Sequence, residues 1–439
     1  MPSIGHRTSL ALVVVALAGC AGAGPSSGSP TTAATGQSPS ASSPVGSPSA
    51  SPVWTPTPSL GSSRGTGRTW TEPAFLTATA RYGSVKAVAA GPDRWVAVGA
   101  GRAEDEDATG GLHFLWNKAL AWTSPDGKTW TPVADDPVFE GAAMFGVQWT
   151  SKGFIALGHW KDERPNPNGA ANSTEIFGSG PAAWLSTDGL TWTALAAGPR
   201  ATAGDQGRMN AVAEVDGRIV AVGCLDESCF LGPAFWILDQ DGFRLAKNAP
   251  PREPAGAYDV IKTSAGMIAV GGTPSVGGEP QRAAVWASSD GDTWTSVTDI
   301  EVRDAGVMRA VTGTPEALVA VGSTNVMTGP VRPAVWTSRD SGATWQEAGR
   351  ENFIDGAGID LFDVVFTGQA IVAVGWDQAE PWRAVAWLSN DGTNWERIDL
   401  PGTGAPAVSI ADGPGGLVAV GGYLINGGLA SWTSPAGAQ

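Results

Sequence analysis

The chain has 439 residues, 42 of them acidic and 27 basic, for a formal net charge of −15. So acidic a surface excludes a general role in gripping nucleic acid or anionic lipid headgroups, both of which require a basic face. Sixty Gly, 32 Pro and 20 Trp against three Cys describe a chain of many turns and many aromatic core positions, and long helical periodicity is absent throughout.

His6 and Arg7 precede an apolar run over residues 10–17, too short to span a bilayer permanently and therefore read as the core of a signal peptide covering residues 1–19. Leu17-Ala18-Gly19-Cys20 resembles a bacterial lipobox. The resemblance implies cleavage before Cys20 and a diacylglycerol on its thiol, whose two chains give a stable anchor on the outer face of the cytoplasmic membrane. Residues 20–66 are almost wholly Ser, Pro, Thr, Gly and Ala. With so little to bury they are expected to stay disordered, a tether able to reach on the order of 100 Å when stretched.

From residue 67 onward the chain repeats itself. An apolar strand ending in Gly occurs seven times, as Trp95-Val96-Ala97-Val98-Gly99, Phe154 to Gly158, Ile219 to Gly223, Met267 to Gly271, Leu318 to Gly322, Ile371 to Gly375 and Leu417 to Gly421. A Trp follows each: Trp122, Trp184, Trp236, Trp286, Trp336, Trp387 and Trp432. Six of these lead into a turn and a second aromatic, as in Ser124-Pro125-Asp126-Gly127-Lys128-Thr129-Trp130 and Ser338-Arg339-Asp340-Ser341-Gly342-Ala343-Thr344-Trp345. The residue types suit a tight hairpin, with Asp capping turn amides and Gly taking positive φ. The seventh copy stops at Trp432-Thr433-Ser434, and Gly67-Arg68-Thr69-Trp70-Thr71 matches the missing piece. The expected fold is an all-β, seven-bladed β-propeller over residues 67–439, in four-stranded antiparallel blades of about 50 residues. Its N-terminal strand, paired with residues 428–433, closes the last blade. The repeated Trp are predicted to fill the wedges between blades.

The turn resembles the Asp-box (BNR) repeat of sialidases, other glycoside hydrolases and non-catalytic propellers, with full spacing only at residues 338–345. The resemblance implies that the box lies on the face opposite any active site, as a marker of the fold. Sialidase-like activity would require three Arg on a carboxylate, a Tyr nucleophile polarised by Glu, and an Asp acid. The F/Y-R-I-P motif is absent, the ring has seven blades where sialidases have six, and Tyr82, Tyr258 and Tyr423 are the available tyrosines, all near the opposite rim.

That rim is formed by connections between blades and between second and third strands. Those of blades 1 and 2, roughly 100–118 and 159–181, are much longer than 272–281 of blade 4, and long connections are commonly functional. Trp116, His159, Trp160, Trp376, Asp377, Trp382 and Tyr423 are therefore candidate ligand-rim residues, packing of the connections onto the body being the alternative. Aligning the innermost strands on their leading Gly places Lys86, Asn210, Asp259, Arg309 and Asp363 at one equivalent position around the channel mouth, with Gly146 and Ala407 unoccupied. They either pair with one another or hold a small polar ligand. Glu104-Asp105-Glu106-Asp107 reads as a solvated acidic loop. Cys224 and Cys229 are an even pair left after lipidation of Cys20, and an exported chain predicts a disulfide between them. Three histidines are too few for a convincing metal site, and no cofactor is expected. The chain reads as a monomeric, non-catalytic binding or scaffold module for a protein or glycan. A glycoside hydrolase and an assembly factor for a membrane complex are the alternatives.

Overall fold

The computed structural model describes residues 68–77, 82–102, 118–165, 174–195, 207–240, 242–274, 281–301, 306–324, 331–348, 358–379, 382–402, 404–423 and 428–436. The signal segment, Cys20, the tether, the acidic run at 104–107 and Trp116 lie outside them. The described strands form seven antiparallel four-stranded blades in a ring. The innermost strands are Tyr82–Ala90, Ala142–Thr150, Arg208–Val215, Gly256–Thr263, Gly306–Gly313, Ile359–Phe366 and Ser409–Gly413.

Blade 7 is completed by the N-terminal strand Ala74–Leu76, which pairs with Gly428–Pro435 through Ala74 to Ser431 and Leu76 to Leu429. The strand lies slightly later than residues 67–71. Thr71 contributes from just outside it: its amide donates to the Thr433 carbonyl at 2.9 Å, and the two hydroxyls meet at 3.0 Å. Trp70 packs on the core cluster of Trp432, where the fourth-strand aromatics sit in other blades.

The core is divided accordingly. Seven clusters of buried apolar residues, each drawing on two adjacent blades, fill the wedges of the ring. Each is built on paired aromatics such as Trp336 with Trp345, or Trp286 with Trp294. A buried aromatic removes 150 Å² or more from water, so these positions dominate the cohesion between blades.

The predicted turns hold by hydrogen bonds. In the blade 4 copy the Gly291 amide donates to Ser288 Oγ at 2.8 Å, and Asp290 Oδ1 accepts from the Asp292 and Thr293 amides, both at 2.8 Å. Trp294 Nε1 then donates to the Gly291 carbonyl at 2.8 Å. The turn Gly also serves the neighbouring blade: a Cβ on Gly291 would lie 2.8 Å from Val220 Cγ2, and one on Gly127, Gly189 or Gly392 would meet the corresponding valine, Val418, Val96 or Val319. These amide bonds hold the turn aspartates below the ordinary carboxylate range, Asp391 at about 2 despite its partial burial.

Candidate functional site: the channel mouth and its rim

Six innermost strands carry a register shift one to three residues after their start, between Val85 and Ala87, Met144 and Gly146, Met209 and Ala211, Ala257 and Asp259, Met308 and Ala310, and Leu361 and Asp363. Such a bulge inserts one unpaired residue and re-aims its side chain. The final Gly of the seven-fold apolar motif makes room for it. A Cβ on Gly99, Gly158, Gly223, Gly271, Gly322 or Gly375 would lie at most 2.1 Å from a carbonyl oxygen of the innermost strand, and one on Gly421 would lie 1.9 Å from the Pro406 carbonyl, just ahead of it. The same close approach under Gly421 identifies Val408 as the equivalent residue of blade 7.

The bulged residues are thus Lys86, Phe145, Asn210, Tyr258, Arg309 and Phe362, and together with Val408 at the equivalent place in blade 7 they line a central channel of about 550 Å³. Polar and aromatic side chains alternate around most of the mouth. This corrects the alignment on leading glycines: Lys86, Asn210 and Arg309 share one position, but Asp259 and Asp363 fall one residue beyond it, behind Tyr258 and Phe362. The leading glycine makes the difference: Gly256 faces Gly271 as Ser84, Arg208 and Val307 face Gly99, Gly223 and Gly322, so it stands one residue later in its strand than Gly83, Gly207 and Gly306.

Asp259 and Asp363 join blades. Asp259 accepts from the Val260 amide and from the Val311 amide of the next blade, each at 2.8 Å. Asp363 likewise accepts from the Val364 amide, the Ile410 amide and Ser409 Oγ, each at 2.8 Å. Burial in the channel wall pushes Asp259 up to about 7, the nearby charge of Asp363 adding to the effect, and pushes Asp363 up to about 6. Arg309 is committed to Asp360 through Nε and a second guanidinium nitrogen at 3.2 and 3.1 Å, and lies over the Phe362 ring. Ser323 Oγ donates to the same Asp360.

The disulfide between Cys224 and Cys229 forms, and it stands at the mouth. A Cβ on Gly256 would meet both sulfurs and the Tyr258 ring, while Asn210 Nδ2 donates across the blade boundary to the Ala257 carbonyl at 2.8 Å. Among the described residues no carboxylate hydrogen-bonds to Tyr258, whereas a sialidase nucleophile needs a Glu there.

The rim candidates separate into two groups. In blade 2 the long connection is a hairpin extension, Gly153–Pro165 paired with Thr174–Ser186. His159 and Trp160 are ladder residues within it. Trp160 lies across Gly178 and Gly180, whose missing side chains admit the indole, and packs on the core between blades 1 and 2. His159 is buried with both ring nitrogens unpartnered, edge-on to Phe145 with 5.0 Å between centroids. Burial, with the charges of Lys161 and Arg208, holds it neutral at about 3.

In blade 6, Asp377 is buried, paired with Arg397, and caps the Ala379 amide, so it serves the fold. Trp376 and Trp382 instead form an edge-to-face pair at 5.4 Å and 89°, with Trp382 exposed and the Trp376 indole nitrogen unpartnered. Tyr423 ends the strand Gly416–Tyr423 and its backbone pairs with Ser84; its side chain, like that of Tyr82, lies outside the description. Phe145, Arg208 and Phe362 were missed as candidates, and Tyr258 was weighed only as a sialidase-type tyrosine near the rim. Counting back from the residues paired with each Ala-Val-Gly motif, rather than forward from the leading Gly, would have found the ring. Among the described residues no group of His, Cys, Asp or Glu could hold a metal ion.

No protein-family model matches the chain, and no curated protein matches it. Among solved structures, the chain is similar to a protein of unknown function from Dyadobacter fermentans DSM 18053, with 16% identity, a TM-score of 0.45, and coverage of 75% of this chain and 97% of the other. It is also similar to a structure described as YCF48 bound to D1 peptide, with 14% identity, a TM-score of 0.49, and coverage of 83% and 96%. Neither likeness carries a ligand or an activity over to this chain.

Proposed function

We propose that the chain is a membrane-tethered extracytoplasmic binding module of the Asp-box type, anchored through a diacylglycerol on Cys20, which captures a protein or glycan at the channel mouth. The observation that carries the reading is the set of six bulges: six innermost strands break their ladder at the same level, and all seven blades turn one side chain into the same opening. Ladder irregularities cost pairing energy, and a ring held together by its wedges has no need of six at one level. The opposite face supplies a contrast, since its turns spend their polar groups on their own amides.

The test is photo-crosslinking of the full-length chain in its native envelope, with benzoylphenylalanine placed singly at Phe362 in the mouth and at Leu190 on the turn face. A discrete adduct from Phe362 and none from Leu190 is expected. Adducts from Leu190 alone would put the ligand on the wrong face for this reading. Changing Cys20 to Ser should abolish palmitate labelling and membrane retention together; persistent labelling would remove the lipid anchor from the proposal.

A further inference from the structure

The charges near the mouth of the channel are sorted by sign. Lys86 lines it from blade 1, and burial with the nearby charge of Arg208 holds its amine below the ordinary lysine range. Asp259 and Asp363 line it from blades 4 and 6, on either side of blade 5, and the charge of Asp363 helps to raise Asp259. Lys86 and Asp259 therefore stand on opposite walls of a seven-membered ring, each with a like charge near it. Like charges in a partly buried wall disfavour one another, and a ligand of the opposite sign relieves them. The other ionised side chains of the described wall are answered from within the chain or lie deeper. Arg309 is committed to Asp360, Glu214 accepts from the Ser151 amide and hydroxyl at 2.7 and 2.6 Å, and Lys262 pairs with Asp216. Glu214, Lys262 and Asp412 also lie four residues beyond the mouth positions of their strands, about 13 Å further along the channel.

All three side chains are half-buried, so a ligand in the channel can reach them. The acids also keep acceptor capacity. Asp259 receives one amide on each carboxylate oxygen, and Asp363 receives one on Oδ1. Among the described residues that leaves three lone pairs open, matching the three N–H donors of an ammonium group. Tyr258 and Phe362, which immediately precede the two acids, line the same stretch of wall and offer ring faces to a cation.

We propose that the channel takes a short free peptide, with its terminal ammonium between Asp259 and Asp363 and its terminal carboxylate at Lys86. The inference rests on the channel mouth being a binding site and narrows the ligand of that site. A neutral glycan offers neither pole, and a chain end of a folded protein offers one. A free peptide carries both, and so answers both walls at once. The channel, at about 550 Å³, has room for it, and an extended tripeptide spans on the order of 10 Å between its ends.

The test is calorimetric titration of the full-length chain at low salt with four probes: trialanine, its N-acetyl form, its C-terminal amide, and free alanine. Trialanine is expected to bind at least about tenfold more tightly than each of the other three. At about pH 6.5 both acids are partly protonated in the empty channel, and an ammonium favours their ionised form. Trialanine should therefore release protons on binding, read as a heat that varies with the ionisation enthalpy of the buffer, and the N-acetyl form should not. Lys86→Met should erase the preference for trialanine over its amide and keep that over the N-acetyl form. The Asp259→Asn, Asp363→Asn double variant should do the reverse, a reciprocity that general damage to the fold would not produce. On the parent chain alone, no binding up to about 10 mM, affinity unchanged by either block, loss through only one block, or alanine binding as tightly as trialanine would each overturn the proposal. Adducts from Phe362 that persist while trialanine fails to bind would sink this inference alone; their absence from the parent chain would sink the binding mouth itself.

Discussion

At the scale of single residues, two glycines with the same backbone separate the two demands made on a turn. Gly291 has φ 75° and would place a Cβ 2.8 Å from Val220 Cγ2 of the neighbouring blade, while Gly217 has φ 77° and nothing within 4 Å. Both should pay the left-handed backbone penalty of roughly 1–2 kcal/mol on substitution by Ala. Only Gly291→Ala should lose about 1–3 kcal/mol more through overpacking, a difference that urea denaturation of the two variants would measure. A second prediction concerns Asp259 and Asp363. Burial raises both carboxyls, to about 7 and about 6, above the unfolded value of about 3.9. Between about pH 4 and pH 7 the folded chain therefore holds more protons than the unfolded one, and stability falls as pH rises across that window. The turn aspartates act in the opposite sense and at lower pH: Asp391, held at about 2, contributes stability above pH 4 that is lost as pH falls toward 2. The urea midpoint should thus be higher near pH 5 than near pH 7.5, and the Asp259→Asn, Asp363→Asn double variant should flatten that slope. An unchanged slope would mean the pair titrates normally.

At the scale of elements, the blades were legible because their signals are local. The Trp pairs, the Asp-Gly turns and the apolar strands each recur within one blade, so counting copies gave the number of blades and an N-terminal closing strand, which pairs at 74–76 and not at 67–71. The mouth was only partly legible. A leading Gly marks the strand start only to within a residue, and Gly256 stands one place later than its counterparts, so Asp259, and Asp363 with it, were assigned to the bulge when they stand one residue beyond it. The indirect trace was the obligatory Gly on the facing strand. Blade 2's long connection was seen, but its pairing as a hairpin extension was not, for another reason: Trp160 needs Gly178 and Gly180 opposite it, a cross-strand match that no single segment reveals. The closing strand gives the prediction at this scale. Removing the chain through Leu76 takes away Trp70, the Thr71–Thr433 bonds and the pairing of Ala74–Leu76, and exposes an edge on Gly428–Pro435. The truncated chain should melt several degrees lower and aggregate on heating, since a bare strand edge recruits other chains. Melting identical to the full chain would show that blade 7 stands without it.

For the molecule as a whole, cohesion is carried by seven wedges of aromatic and apolar side chains around a water-accessible channel, so the ring is as strong as its weakest junction. Six junctions join neighbouring stretches of chain. The seventh unites residues 362 apart, as the Thr71–Thr433 pair shows. Its consequence is one of timing. In a chain made from its N-terminus, residues 68–77 are among the first of the ring to appear and among the last to find their partner, so they wait as an unpaired strand through the making of every other blade. Contacts of such separation slow folding, because the loop they close must be ordered before they give anything back. Moving residues 68–77 to follow residue 436 would turn that distant pairing into a local hairpin. Such a rearranged chain should refold measurably faster than the natural order at similar stability, which stopped-flow Trp fluorescence would reveal. Equal rates would mean that closure is not what the ring waits for.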